Sequence, residues 1–266
     1  MRRLMRVYKA LLQTAWATAV EYRAQAFLWI LSSIFPLVMM VVWLAIVDEA
    51  GPLAGWGRAD FISYYVGAAV VYQFTFVWST WQWDEDIRTG NLSVKLLKPL
   101  DPFHYLFSEQ IGWKVFTLLF IVPVVMVIAW LSPAIQYPLS LGRAAAFALS
   151  VIAALVLAML MSCTFGVLAF WSTQVSNLYQ LWIGVGSFLS GWIAPLALFP
   201  ASIRQVAYLL PFRSTLGLPM EILMGRLAWP EIGFGFAVTC GWCVVFLVLY
   251  RILWRAGLKR YEAVGA

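Results

Sequence analysis

Charged residues are scarce in this sequence: only 11% of its 266 residues are Asp, Glu, Lys or Arg, while 63% are hydrophobic. Because ordinary soluble domains carry roughly 25% charged residues, this composition excludes a water-soluble fold. A bilayer core of about 30 Å requires about 20 apolar residues per helix, so the chain can hold one membrane domain with short loops. No long polar stretch is left for a soluble catalytic domain.

Residues that bind metals or carry redox chemistry are also few. The sequence contains the cysteines Cys163, Cys240 and Cys243 and a single histidine, His104. A zinc or redox site needs more Cys or His ligands than these, so we interpret the cysteines as buried small hydrophobic residues. An intramembrane enzyme would need convergent nucleophiles, bases or metal ligands. We therefore predict no catalytic residue, no metal and no cofactor bound by this chain.

The hydropathy pattern predicts an all-α integral membrane protein with six transmembrane helices. The predicted spans are 24–47, 61–83, 103–131, 142–171, 178–199 and 232–254. An even number of spans puts both termini on one side, which then carries 13 of the 18 Lys and Arg residues, against 5 on the other side. Since such residues favour the cytoplasmic side, we expect cytoplasmic termini and a location in the cytoplasmic (inner) membrane.

The first 22 residues are basic and have apolar residues at helical spacing. This pattern predicts an amphipathic interfacial helix over 1–22 that lies on the membrane surface. The basic residues expected to face anionic headgroups are Arg2, Arg3, Arg6 and Lys9. A frayed basic tail is the alternative interpretation.

The predicted cytoplasmic loop 84–102 carries the densest charge in the chain. A turn at Gly90 and a stop at Pro99 predict a short amphipathic helix between them, suited to a groove on a protein partner. The candidate docking residues are Asp84, Glu85, Asp86, Arg88, Gly90, Leu92, Lys95, Leu96 and Lys98. An ordinary solvated loop is the alternative. After this loop, Asp101 followed by Pro102 predicts a helix start.

Prolines interrupt the region that follows the fifth predicted span, at Pro195, Pro200, Pro211, Pro219 and Pro230. The pieces are too short to cross a bilayer, so the segment 200–231 is predicted to be re-entrant from the extracytoplasmic side. Irregular backbone at that depth is tolerated only where protein or a water-filled cavity covers it.

Few polar side chains fall within the predicted spans. Gln110 and Lys114 lie a turn apart near the cytoplasmic end of the third span, where we expect them to snorkel to the interface. A proton relay would need ionisable residues deeper in the bundle. A possible apolar surface for lipophilic cargo comprises Met39, Met40, Trp182, Phe188 and Trp192.

The chain resembles the type-2 family of ATP-binding-cassette (ABC) transporter permeases, particularly bacterial six-span exporter permeases. Three features carry the resemblance: the basic amphipathic N-terminal helix, the stretch 87–100 (IRTGNLSVKLLKPL) and the proline-broken segment before the last span. Matching loop lengths extend the likeness to nearly the whole chain.

The resemblance implies a permease subunit of an ATP-driven exporter for a hydrophobic or amphipathic compound. Segment 84–100 would be the coupling helix that contacts a separate ATPase subunit, and a second six-span permease, the same chain or a homologue, would complete the membrane part. The chain has no G-x-x-x-x-G-K-[ST] loop, so ATP and Mg would be bound by the partner. An ion-coupled secondary transporter or channel is the alternative.

The resemblance also suggests roles for two further groups. The extracytoplasmic gate would include Arg204, Arg213, Glu221 and Arg226. The subunit interface or pathway would include small residues four apart in the fifth span, namely Gly186, Ser187, Ser190 and Gly191. Membrane lipid is the other expected partner, and nucleic acid is not, since membrane topology explains the net charge of +6.

Overall fold

The computed structural model describes residues 2–22, 35–132, 135 and 137–261. Within these ranges every regular element is a helix, apart from an isolated bridge between Leu53 and Trp56. The α-helices are α1 (Arg2–Glu21), α2 (Phe35–Ala50), α3 (Arg58–Thr75), α4 (Ser79–Arg88), α5 (Asn91–Leu96), α6 (Pro102–Leu131), α7 (Leu141–Gly166), α8 (Val175–Leu189), α9 (Ala201–Leu209), α10 (Pro211–Thr215), α11 (Gly217–Leu223) and α12 (Trp229–Leu258). The all-α class predicted from the sequence is confirmed for the described residues.

Four helical stretches are long and apolar enough to cross a bilayer: Arg58–Arg88, Pro102–Ile128, Leu141–Phe170 and Trp229–Leu258. They correspond to the second, third, fourth and sixth predicted spans. Residues 24–34 of the first predicted span lie outside the described residues, and the described part of that span belongs to the 16-residue α2. The count of six spans therefore stays a prediction.

The fifth predicted span, 178–199, is not one continuous helix. Helix α8 has 15 residues, a length of about 23 Å at 1.5 Å per residue, and the chain then turns at Gly191 with φ +92°. We call residues 190–193 the outer turn. Three side chains donate hydrogen bonds to its carbonyls. Tyr64 Oη donates to Gly191 O (2.7 Å), and Ile193 O accepts from both Tyr65 Oη (2.7 Å) and Trp43 Nε1 (2.9 Å). These bonds explain how the helix can end inside the bundle.

Helix α1 packs lengthwise against the first half of α6, and the two helices run in the same direction. Tyr8 contacts His104 (Oη to Nδ1, 2.5 Å), and a Cβ added at Gly112 would lie 2.6 Å from the Cβ of Ala15. Helix α1 is therefore held against α6 by a close helix contact, which the small side chains of Ala15 and Gly112 permit and which amphipathicity alone does not predict. The position of this helix on the membrane surface stays a prediction.

Contacts between distant segments sort the loops into two ends of the bundle, which we name inner and outer after the topology predicted from the sequence. At the inner end, Tyr261 Oη lies 3.1 Å from Ser93 Oγ, close to the start of α6 and the Tyr8 contact. At the outer end, Tyr137 Oη donates to Ser63 O (2.7 Å), and Arg143 Nη1 donates to Leu227 O (3.2 Å). The described parts of both chain ends thus lie with segment 84–102.

The core is divided between the same two ends. An inner cluster forms around Trp83, Leu157 and Trp254, with the Trp83 and Trp254 ring centroids 4.9 Å apart. An outer cluster forms around Tyr64, Tyr65 and Met220. Segment 58–88 contributes to both clusters, so it connects the two halves of the bundle.

The predicted start of the third span is confirmed in atomic detail. Helix α6 begins at Pro102, and the Asp101 carboxylate accepts a hydrogen bond from Phe103 N at 2.9 Å. The prediction that all three cysteines are buried is confirmed only for Cys163, because Cys243 is half-buried and Cys240 is exposed on the surface of α12. An apolar helix in a bilayer can turn small hydrophobic residues outward, so hydropathy does not determine which face packs.

Candidate functional site

The segment from α4 to α5 forms a bent pair of helices at the inner end. Gly90 adopts φ +80° between the two helices, a left-handed conformation that favours glycine. Leu92 is completely buried and anchors α5 to the bundle. The exposed apolar residues nearby are Val94 (58% exposed), Leu96 (39%) and Leu97 (88%). We call these three residues the docking face.

The charges of this segment divide into a buried pair and an exposed rim. Asp86 forms a close ion pair with Lys95, and Asp84 accepts a hydrogen bond from Ser176 Oγ at 3.0 Å. Asp84 also lies 3.6 Å from Arg88. Both aspartates are buried, so they hold α4 in place and do not face a partner as the sequence suggested.

The exposed rim of the docking face consists of Glu85, Arg88 and Lys98. Arg88 donates to Thr173 O at 3.5 Å, and Lys98 lies over the Tyr105 ring at 5.1 Å from its centroid. Hence the segment combines an unpartnered apolar face with a charged edge. Such a surface suits a groove on a soluble protein.

The predicted interfacial helix is partly described. Arg6 and Lys9 are exposed on α1, and the side chains of Arg2 and Arg3 lie outside the described set. Their contact with lipid headgroups stays a prediction.

The predicted gate residues form two separate ion pairs and leave one residue apart. Arg213 donates to Glu221 Oε2 from Nη2 (2.5 Å) and Nε (3.1 Å), and both side chains are buried. Burial raises the pKa of the Glu221 carboxyl, and the Arg213 guanidinium opposes this shift. Arg226 pairs with Asp60 at 2.5 Å on the surface, whereas Arg204 is half-buried.

A cleft opens beside the outer turn, between α3, α7, α8 and α10. Its lining residues are Tyr72, Thr75, Phe76, Val77, Ala158, Met161, Tyr179, Trp182, Ile183, Gly186, Ser187, Ser190, Trp192, Phe212, Thr215 and Leu216. The aromatic walls are in close contact, with ring centroids 3.9 Å apart for Tyr72 and Trp192 and 4.5 Å apart for Trp182 and Phe212. Six of the sixteen lining residues are aromatic, five are aliphatic, one is glycine and four are Ser or Thr. We call this cleft the aromatic cleft.

The structure brings together three of the four predicted pathway residues, Gly186, Ser187 and Ser190, on the cleft wall. Gly191 lies in the outer turn and does not line the cleft.

Of the five residues predicted to form a cargo surface, Trp182 and Trp192 line the cleft. Phe188 is 55% exposed on the outer side of α8, and Met39 and Met40 pack against the outer core cluster. Tyr72, Phe76 and Phe212 also line the cleft and were not predicted, because they come from segments distant in sequence from α8.

Lys114 does not snorkel to the interface as expected. Its side chain is buried at 4% exposure, and its Nζ donates to Phe76 O (2.6 Å) and Gln73 O (3.2 Å). Both acceptors lie at the C-terminal end of α3, which ends at Thr75. Backbone carbonyls within reach explain why the lysine stays inside.

A bundle of apolar helices with a docking face at one end and an aromatic cleft within defines a multi-pass helical membrane protein. A family model described as "ABC-2 family transporter protein" matches residues 33–265. The chain therefore belongs to the ABC-2 transporter family, as the sequence resemblance suggested, and is the membrane component of an ABC transporter. Membership implies an ATPase partner subunit. No curated protein matches the chain.

Proposed function

We propose that this chain is the transmembrane permease subunit of an ATP-driven exporter that moves a hydrophobic or amphipathic compound out of the cell. A separate ATPase subunit binds ATP and Mg and docks on the inner end. The chain lies in the cytoplasmic membrane with both termini inside, and a second six-span permease, identical or homologous, completes the membrane domain. The Arg213–Glu221 segment caps the exit of the pathway.

The observation that carries this proposal is the docking face. Leu97 is 88% exposed although it lies at the end of a helix whose Leu92 is completely buried. An exposed leucine with exposed Val94 and Leu96 beside it, bordered by Glu85, is typical of a surface that a protein partner covers. Family membership supplies the partner, an ATPase.

The cleft supports the class of cargo. Aromatic rings provide large apolar contact area, and the hydroxyl groups of Thr75, Ser187 and Ser190 can bind the polar end of an amphipathic molecule. The cleft is bounded on one side by α8, and the pathway between two permease copies would run along this helix.

The test replaces one leucine at each end of the bundle by glutamate. Leu97→Glu places a charge at the centre of the docking face, whereas the control Leu139→Glu changes an exposed leucine, 50% exposed, in a loop at the outer end. We expect Leu97→Glu to lower both ATPase co-purification and ATP-driven transport in vesicles by about tenfold or more. The control should behave like the wild type.

Two results would contradict the proposal. If the wild-type chain recovers no ATPase after cross-linking in its native host, the partner assignment fails. If transport follows an ion gradient and ignores ATP, the chain works as an ion-coupled transporter.

A further inference from the structure

The long helical stretch Arg58–Arg88 is interrupted in the middle of the bundle. Helix α3 ends at Thr75 and α4 begins at Ser79. Phe76 has extended backbone angles, φ −66° and ψ 129°. We call residues 76–78 the inner break. Its sequence, Phe-Val-Trp, contains neither proline nor glycine, so the usual local causes of a sharp break are absent.

Side chains from two neighbouring helices hold the inner break open. On the carbonyl side, Lys114 of α6 donates to Phe76 O at 2.6 Å and to Gln73 O at 3.2 Å. On the amide side, Ser162 Oγ of α7 accepts from Thr80 N at 2.9 Å. The break therefore exposes backbone groups that would otherwise bond along one helix, and buried polar side chains satisfy them.

The two supports differ in strength and flexibility. Thr80 Oγ1 donates a second bond to Ser162 O at 2.8 Å, which ties the start of α4 to α7. Lys114 reaches its acceptors through a four-carbon side chain, and an ionisable residue in a span is costly unless it has a function. The lysine is thus the adjustable support of the break.

The inner break lies between the two candidate sites. Thr75, Phe76 and Val77 line the aromatic cleft. Helix α4 leads directly from the break to the buried Asp84 and on to the docking face. A displacement of the docking face would therefore reach the cleft wall through residues 76–78.

We propose that the inner break is a hinge that transmits movement of the docking face to the cleft wall, and that Lys114 is the positioning residue that holds this hinge. The inference rests on the proposed function, since it assumes that an ATPase moves the docking face. Lys114 is neither part of the docking face nor among the residues that line the cleft, and it acts through the carbonyls of Phe76 and Gln73.

The first experiment measures transport per ATP hydrolysed for Lys114→Met, Lys114→Arg and the control Val115→Met. Val115 is adjacent on α6 and 49% exposed. We expect Lys114→Met to retain the ATPase partner but to lower transport per ATP by about tenfold. Lys114→Arg keeps donors within reach and should restore much of the coupling, and Val115→Met should change nothing. A wild-type coupling ratio in Lys114→Met would overturn the proposal.

The second experiment does not depend on the ATPase. Spin labels at Thr89, at the end of α4, and Leu119, on α6, report the distance between these helices in the purified permease alone. We expect one narrow distance distribution in the wild type and a broadened or shifted one in Lys114→Met. An unchanged distribution would overturn the hinge. If the wild type recovers no ATPase but Lys114→Met still changes the distribution, the proposed function fails and the hinge stands.

Discussion

The inner break and the outer turn both interrupt a helix inside the bundle, and the protein supports them differently. The outer turn has Gly191 at a positive φ, and the rigid side chains of Trp43, Tyr64 and Tyr65 donate to its carbonyls. At the inner break, Phe76 O and the neighbouring Gln73 O accept bonds from one flexible lysine, Lys114. The outer turn is therefore fixed by three rigid side chains, whereas one flexible side chain supports the carbonyl side of the inner break.

This difference indicates a division of labour along the bundle. A segment fixed by several rigid donors loses stability when one of them is removed, but it does not change its conformation readily. A segment held by a long side chain can exchange its contacts at small energetic cost. We therefore expect substitutions at the outer end to lower the free energy of unfolding, and Lys114 substitutions mainly to affect coupling.

The largest effect is expected from Arg213→Ala. The change leaves the Glu221 carboxylate without its partner in a buried site. This site lies next to the outer turn, since a Cβ placed on the neighbouring Gly217 would lie 2.9 Å from Ser190 O. Breaking a buried ion pair costs about 3–5 kcal/mol, measured as the free energy of unfolding in mixed micelles. The control Arg204→Ala should have little effect. A near-zero change for Arg213→Ala would show that the outer segment is not held by this pair.

Two glycines, one in the outer turn and one in the preceding helix α8, give the next contrast. Gly191→Ala forces a side chain into φ +92° and places its Cβ close to Tyr64 Oη, so we expect a loss of about 2–4 kcal/mol in unfolding free energy. Gly184→Ala lies in α8 with nothing within 4 Å of the new Cβ and should stabilise the helix by about 0.5–1 kcal/mol. Equal effects of the two substitutions would refute a strained outer turn.

Ser162→Ala tests the amide side of the inner break. The substitution removes the acceptor of the buried Thr80 N, whereas Thr80 Oγ1 keeps its bond to Ser162 O. We expect a loss of about 2 kcal/mol in unfolding free energy. The matched control is Ser150→Ala on the same helix, because Ser150 Oγ donates to Phe147 O of its own helix and to no other group among the described residues. If Ser150→Ala lowers the free energy of unfolding by as much as Ser162→Ala does, the start of α4 does not rely on its bond to α7.

How far the sequence determines these features depends on whether their cause is local. The Asp101 cap is a local pattern, and the structure confirmed it. The inner break was not predicted because Phe76, Val77 and Trp78 give no local signal. The side chains that support it, Lys114 and Ser162, lie on other helices, so only the tertiary arrangement reveals it.

The charged residues of the segment from α4 to α5 show the same limit of prediction from sequence. The sequence places Asp84, Asp86, Glu85 and Arg88 together, and nothing in their order distinguishes buried from exposed residues. The three-dimensional packing does so by bringing Ser176 to Asp84. The aromatic cleft was missed in part for a related reason, since α3, α7, α8 and α10 each contribute only a few of its residues.

The smallest expected effect compares two neighbouring tyrosines at the outer turn. Tyr64→Phe removes the donor to Gly191 O, which has no other side-chain donor among the described residues. Tyr65→Phe removes one of two donors to Ile193 O, which keeps the Trp43 Nε1 bond at 2.9 Å. Because an unsatisfied buried acceptor is costly, we expect a loss of about 1 kcal/mol for Tyr64→Phe and less than about 0.5 kcal/mol for Tyr65→Phe.

The free energy of unfolding in mixed micelles, measured for both variants, tests these two expected losses. The hydroxyl group is the only change in both variants, so the rings and their packing serve as the internal control. If Tyr65→Phe costs as much as Tyr64→Phe, the second donor from Trp43 does not compensate. Each carbonyl of the outer turn would then depend on its individual donors, as Phe76 O of the inner break depends on Lys114, and the mechanical distinction between the two interruptions would disappear.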